Sequence, residues 1–438
     1  MNASRESPER ASVLDALLRY WTHGREAVGA LPIPTASFST EEPLPPQLEM
    51  VALPEWASDL AADGGLLIPA FAMAPGEGEA WRRVDYLAAA FWYLNGLAER
   101  GFERRHRPIH GYAFHLKGWD SRVWQRAWVN RIALLLRRWA ARERETSEDA
   151  LCGPLPPWKI HLTHDVDAIT KTLPIRIKQT LFHGFNMARG VVRARPSLVG
   201  RKAREAVRSM FGPADYWCFE TILGMEEQHG LRSIFHFYGG PTGLLRLPHL
   251  WLIDIDYRTG EEPLRSLLRR MVAEGWTVGL HPSYNSFQDA TMLRRERETV
   301  EQAAGAPVVV SRQHWLRFSW LTSWKAQAAA GLELDSTIGF NHRSAFRNGA
   351  ALDFHPWDFE ARRPLGIRSL PLVLMDSHLY DYSGHLTAEE REEHMRYWLD
   401  EIKATRDEGA VVWHQRVMSD DYGWGESYAQ LLTLLAAM

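Results

Sequence analysis

The chain has 438 residues, 24% of them charged, and a formal net charge of -3. That balance gives no global pull toward nucleic acid, and no apolar run approaches the ~20 residues of a membrane span. Length sets an expectation of two or three domains with ample core. The two cysteines, Cys152 and Cys218, lie far apart and make no metal-type pair, which fits a reducing compartment or a protein that does not use thiols. The N-terminus is polar and lacks the apolar stretch of a signal peptide, so a cytoplasmic location is expected. Tryptophan is in excess, at 19 residues. Most indoles fill cores, but flat aromatics also stack on sugar faces, a lean toward a carbohydrate ligand.

Residues 1–12 are polar and expected to lack structure, and residues 31–46 form a Pro/Ser/Glu-rich connector. Apolar residues near every third or fourth place predict helices over 84–94 and 123–142. The polar run 145–149, followed by the proline-rich 153–157, marks a boundary, because prolines cannot continue a helix. It separates a smaller, partly helical accessory region, 1–156, from residues 157–438. Beyond it, strands are predicted at 160–164, 233–238, 277–281, 308–311, 332–337, 370–375 and 410–414. Helices are predicted between most of them, at 263–274, 290–304, 323–330 and 388–406. Alternation of strand and helix implies an α/β fold with a parallel sheet. Seven such units suggest a barrel-like closure.

Chemistry-bearing residues gather at the strand ends. The first strand runs into Thr163-His164-Asp165-Val166-Asp167. Alternation points both acids the same way, so one can bind a cation while the other takes a proton from water. His281 ends the third strand, Arg312 follows the fourth, Asp335 sits near the end of the fifth and His414 ends the last. In parallel α/β barrels the C-terminal strand ends form the catalytic rim. Plainer readings stand beside these: a core histidine for His281, a cap for Asp335, a backbone-bonded ring for His414. Asp376 and His378 are rim candidates without an assigned role.

At these residues the chain resembles the NodB-like polysaccharide deacetylases, metal-dependent amidases and esterases on a distorted (β/α) barrel. The resemblance covers roughly residues 158–438. It implies that Asp165 is the base and Asp167 a metal ligand. The His-x-x-x-His metal motif reads His281-Pro282-Ser283-Tyr284-Asn285, so Asn285 stands where a second histidine is expected. Ser286 or His314 could complete the shell instead. Arg312-Gln313-His314-Trp315 partly matches Arg-x-Pro-aromatic, whose Arg holds the base and whose aromatic backbone N–H helps bind the oxyanion. Asp335 resembles the fourth motif and could hold Arg312 or His314. His414 resembles the general acid of the fifth. Ser283 and His314 are substrate or supporting candidates. The wording Thr-His-Asp-Val-Asp and Gly-Leu-His-Pro-Ser-Tyr is similar to a bacterial subgroup with an added N-terminal region, linked to surface polysaccharides.

The resemblance implies a divalent ion, zinc before others, and an N-acetylated sugar or glycan as substrate. Asparagine is a weaker zinc ligand than imidazole, so two alternatives stay open. One is a glycan-binding scaffold that has lost catalysis; the other is a hydrolase of a non-sugar amide. Residues 171–208 carry ten Lys and Arg against Glu205 as the single acid. Apolar residues run through this basic insertion near 171–212. It suits an anionic membrane surface, a lipid-linked glycan or a polyanion, although a solvated basic helical excursion is the plain alternative.

Overall fold

The apolar-alternating runs become strands where expected. The computed structural model describes residues 7–36, 43–192, 196–212, 215–242, 255–383 and 386–437. A small antiparallel pair comes first, β1 (Leu48–Val51) with β2 (Leu66–Pro69). The seven predicted strands follow as β3 (Lys159–Asp165), β4 (Ile234–Phe237), β5 (Thr277–Leu280), β6 (Val310–Ser311), β7 (Leu334–Asp335), β11 (Leu372–Met375) and β12 (Glu408–Val412). Between them β8 (Trp357–Asp358) and β9 (Arg363–Pro364) form an antiparallel ribbon. The two-residue strand β10 (Arg368–Ser369), too short to leave an alternating pattern, pairs with β7.

The main sheet has eight strands in the order β10-β7-β6-β5-β4-β3-β12-β11. Pairings β3–β4, β4–β5, β6–β7 and β7–β10 are parallel. Helices Leu264–Ala273, Ala290–Ala304, Ser323–Ala329 and Ala388–Thr405 alternate with the strands, and the fold is α/β. Among the described residues no helix is long and apolar enough to cross a membrane.

The chain clusters into two compact units. One comprises Met1–His161, Phe287–Thr291 and Val309–Val411; the other comprises Leu162–Ser286, Met292–Val308 and Val412–Met438. In the first, Pro8–Ala16 is helical where the sequence suggested no structure. Ser7 caps it by accepting from the Arg10 N–H, Val13 and Leu14 are buried, and Arg10 lies 2.7 Å from Asp85. Those partners are distant in sequence, so local composition hid the helix. Residues 1–6, residues 37–42 of the connector, and Arg193 and Arg195 of the basic stretch lie outside the described residues. Twelve of the nineteen tryptophans are buried, which makes their excess chiefly a packing property.

A charged cluster ties the N-terminal residues to β12 within this unit. Arg19 reaches Asp353, Asp407 and Glu408, and His161 bonds Glu408. Burial pushes the Asp407 carboxyl up to about 8 against the pull of Arg19. A carboxyl raised in the folded state contributes most below its ordinary 3.8, and that contribution is lost as pH rises through about 8. Asp407→Asn is therefore expected to flatten the decline in stability over that window, as read from urea melts. Parallel profiles for the two proteins would exclude Asp407 as the source.

Candidate metal and catalytic site

In the second unit β3 presents opposite chemistry on its two faces, as a two-residue period requires. His164 points to a buried scaffold. One ring nitrogen is 2.6 Å from the Trp413 carbonyl and the other 2.7 Å from Glu226 Oε1. Glu226 also accepts from Ser233, Trp276 and Tyr428. Burial alone would raise its carboxyl, but the bond from His164 and these donors hold it below the usual range. A fully buried carboxylate needs such a complete donor set.

Asp165 faces the other way. Its register partner on β4 is His236, whose Nδ1 lies 3.1 Å from Asp165 Oδ1. Sequence reasoning missed His236, because its pairing with Asp165 depends on strand register, which no local pattern encodes. Asp167, two residues on, sits among three nitrogen-bearing groups. His281 Nε2 lies 3.3 Å from Oδ1, His414 Nε2 lies 3.7 Å from Oδ2, and the Arg416 guanidinium donates to Oδ2. Burial alone would lower the Arg416 guanidinium; the charge of Asp167 outweighs it, and the value rises. Arg416 was also missed; it lies in the short helical turn Gln415–Met418 beyond β12, where strand alternation gives no signal.

His281 is almost fully buried, and its backbone N–H donates 2.7 Å to the Phe237 carbonyl. The turn after it is built by Ser283, whose N–H and hydroxyl both reach Glu296. Ser286 closes the turn through the Ser283 carbonyl. This gives Ser283 a turn-holding role. Asn285 stands on the exposed side of that turn. A carboxylate oxygen beside an imidazole nitrogen is the donor chemistry of a divalent-cation site, and Asp167 with His281 fits it.

The first unit carries the other candidates. Arg312 is fully buried, and its Nε donates 3.0 Å to the Ser336 carbonyl. Asp335, in register with Ser311, accepts from Trp324, Gln327 and Thr337. Burial raises its carboxyl against these donors. Thr337 in turn accepts from the Gln313 N–H at 3.0 Å. Asp335 thus reaches the Arg312–Trp315 segment through Thr337 and the main chain. His378 bonds the Met375 N–H and the Phe340 carbonyl, a structural use of its ring.

The buried His314 opens a single turn, His314–Leu316, with an unusual backbone. Trp315 and Leu316 have φ of 58° and 45°. Left-handed conformations at such residues cost roughly 1–3 kcal/mol each, so surrounding contacts must hold them. Asn341 Nδ2 donates 2.8 Å to the Trp315 carbonyl, and the Leu316 N–H bonds the Gln313 carbonyl. The N-terminal region supports the residues just beyond. Glu103 takes the Ser319 hydroxyl and the Trp320 N–H, while Glu99 takes the Trp320 indole and Arg347.

No family model and no curated protein matches this sequence. Several solved structures are similar at a low level. A protein assigned as a polysaccharide deacetylase from Mycobacterium smegmatis is 15% identical with a TM-score of 0.39, over 65% of this chain and 88% of its own. A mutant CE4 family pseudoenzyme with restored enzymatic activity is 10% identical with a TM-score of 0.31, over 64% and 62%. The CE4 domain of a multidomain xylanase from the hindgut metagenome of Trinervitermes trinervoides is 10% identical with a TM-score of 0.30, over 64% and 83%. Likenesses at this level carry no argument for fold or chemistry.

Two outcomes are expected from these contacts. The fixed positive charge of Arg416 beside Asp167 opposes a cation there, so Arg416→Gln should tighten Co2+ binding about ten-fold. Calorimetric titration reads this directly, and an unchanged affinity would mean that Arg416 does not compete. Asn341→Ala should lower stability by about 1–2 kcal/mol by releasing the Trp315 carbonyl. A denaturation midpoint equal to that of the parent protein would show that the strained turn is held elsewhere.

Proposed function

We propose that this chain is a metal-dependent hydrolase that removes the N-acetyl group of an amino sugar during bacterial surface-polysaccharide assembly. The observation that carries the reading is the unequal pair of carboxylates. Asp165 is held by His236, whereas Asp167 faces His281, His414 and Arg416. Two acids two residues apart in different surroundings suit two roles, a base and a ligand.

Asp167 and His281 would hold the ion, and the family resemblance offers Asn285 or His314 as a further donor. Such an ion polarises an amide carbonyl and lowers the pKa of water, and zinc suits carboxylate and imidazole donors. Asp165 takes the proton of the attacking water, with His236 orienting its carboxylate. Arg312 keeps that carboxylate ionised through its fixed positive charge. The N–H of Trp315, in its left-handed turn, donates to the developing oxyanion. His414 protonates the leaving nitrogen, which an amide requires because an amine anion leaves poorly. Residues 1–156 are proposed as an accessory region whose glutamates brace the segment after Trp315.

A glycan-binding scaffold is the second reading. It is favoured by Arg416, which already supplies Asp167 with a positive partner. The metal-loaded protein is expected to release acetate from N-acetylated amino-sugar oligomers, and Asp165→Asn to slow this by about 10²–10⁴-fold with metal content unchanged. His281→Ala should lose the metal, as measured by elemental analysis. Bound metal without acetate release from any such oligomer would favour the scaffold. Full turnover in Asp165→Asn would remove Asp165 as the base.

A further inference from the structure

The described residues of the basic stretch form two helices in the second unit. Helices Leu173–Val192 and Pro196–Phe211 pack along each other. They run antiparallel: Arg176 bonds the Met210 and Gly212 carbonyls, Thr180 the Ala206 carbonyl, and His183 pairs with Glu205. The root of the hairpin is tied down. Lys171 pairs with Asp421, Arg208 bonds the Asp420 carbonyl, and Gln179 donates to the hydroxyls of Tyr216 and Tyr422.

Its described residues include a row of exposed apolar side chains. Leu173, Ile177, Leu181 and Phe185 recur every four residues, which places them along one side of a helix. Leu181 is 63% exposed and Phe185 61%. On the second helix Val207 and Phe211 repeat the spacing, with Phe211 at 80%. Seven of the eleven exposed large apolar side chains among the described residues lie on this hairpin. Arg201, Arg204 and Arg208 are exposed on the same element. An exposed apolar stripe with a strong positive excess combines the two attractions of an interfacial helix, insertion among acyl chains and pairing with anionic headgroups.

We propose that this hairpin lies in the surface of an anionic lipid bilayer and docks the protein there. Twenty helical residues extend about 30 Å, enough to seat the whole stripe in the interface plane. Charge decides between occupants. A second copy of the hairpin would bring the same positive excess against itself, whereas anionic headgroups neutralise it. The root also contacts the segment that carries the candidate site. Tyr422, which accepts from Gln179, lies 6.0 Å from the Arg416 guanidinium, and Arg416 holds Asp167. Docking is independent of the hydrolase reading and is tested without activity.

The full-length protein is sedimented with phosphatidylcholine vesicles, with and without phosphatidylglycerol, at low and high salt. Binding is expected on the anionic vesicles and to weaken with salt. The pairs Leu181→Glu/Phe185→Glu and Arg201→Glu/Arg204→Glu should each reduce it about ten-fold or more, with unchanged thermal melts and Co2+ affinity. Absence of binding to anionic vesicles would overturn the proposal, as would equal binding to neutral ones. A dimer in light scattering that Leu181→Glu/Phe185→Glu dissolves, with no vesicle binding by the parent protein, would reassign the face to self-association and overturn it equally.

Discussion

The charge on Asp167 is the constraint around which the second unit is arranged. One carboxylate meets two imidazoles and a guanidinium, all brought to it from strand ends or the residues just beyond. A divalent ion that took the Oδ1 side with His281 would leave Oδ2 with Arg416. The two oxygens would then serve different cations. Hydrogen bonding at one oxygen reduces donation from the other, which weakens retention of the ion and strengthens its Lewis acidity. Arg416 is thus a tuning group for such a site.

The rigidity this requires comes from the opposite face of the same strand. His164 alternates with Asp165, so the network that fixes one also aims the other. Glu226 accepts from His164, Ser233, Trp276 and Tyr428, joining the strand to two helices and to β5's approach. A buried carboxylate with four donors tolerates little displacement, since losing any one leaves a desolvated polar group. The motif histidine is therefore tied into the scaffold, while the motif aspartates face His236 and His281. Their separation onto two faces follows from the pleat alone.

In the first unit the strained turn at Trp315 plays the corresponding part. Its carbonyl is held by Asn341, its flank by the Asp335–Thr337–Gln313 relay, and the residues beyond by Glu99 and Glu103. Strain of this kind persists only where contacts over-determine it. Aiming a main-chain N–H is a use for which a side chain's identity matters less than its backbone angle.

The order of strands and helices, the Asp-x-Asp strand end, His281, Arg312 and His414 were all legible in the sequence, because periodicity and strand-end position are local properties. The seven strands formed within a few residues of their expected limits; the two-residue β10 of the main sheet and the short antiparallel pairs β1–β2 and β8–β9 were not foreseen, most being too short to show a period. What the sequence could not carry was partnership. His236 meets Asp165 through register, Arg416 meets Asp167 across 249 residues, and Glu296 looks like one more charge on a solvated helix until the Ser283 turn folds onto it. The basic stretch was readable as amphipathic, but whether its apolar residues faced the protein or the solvent depended on how its two helices packed. Local sequence determines which conformations and charges a segment brings. Burial and pairing are set by the residues it meets, and only the tertiary structure decides those.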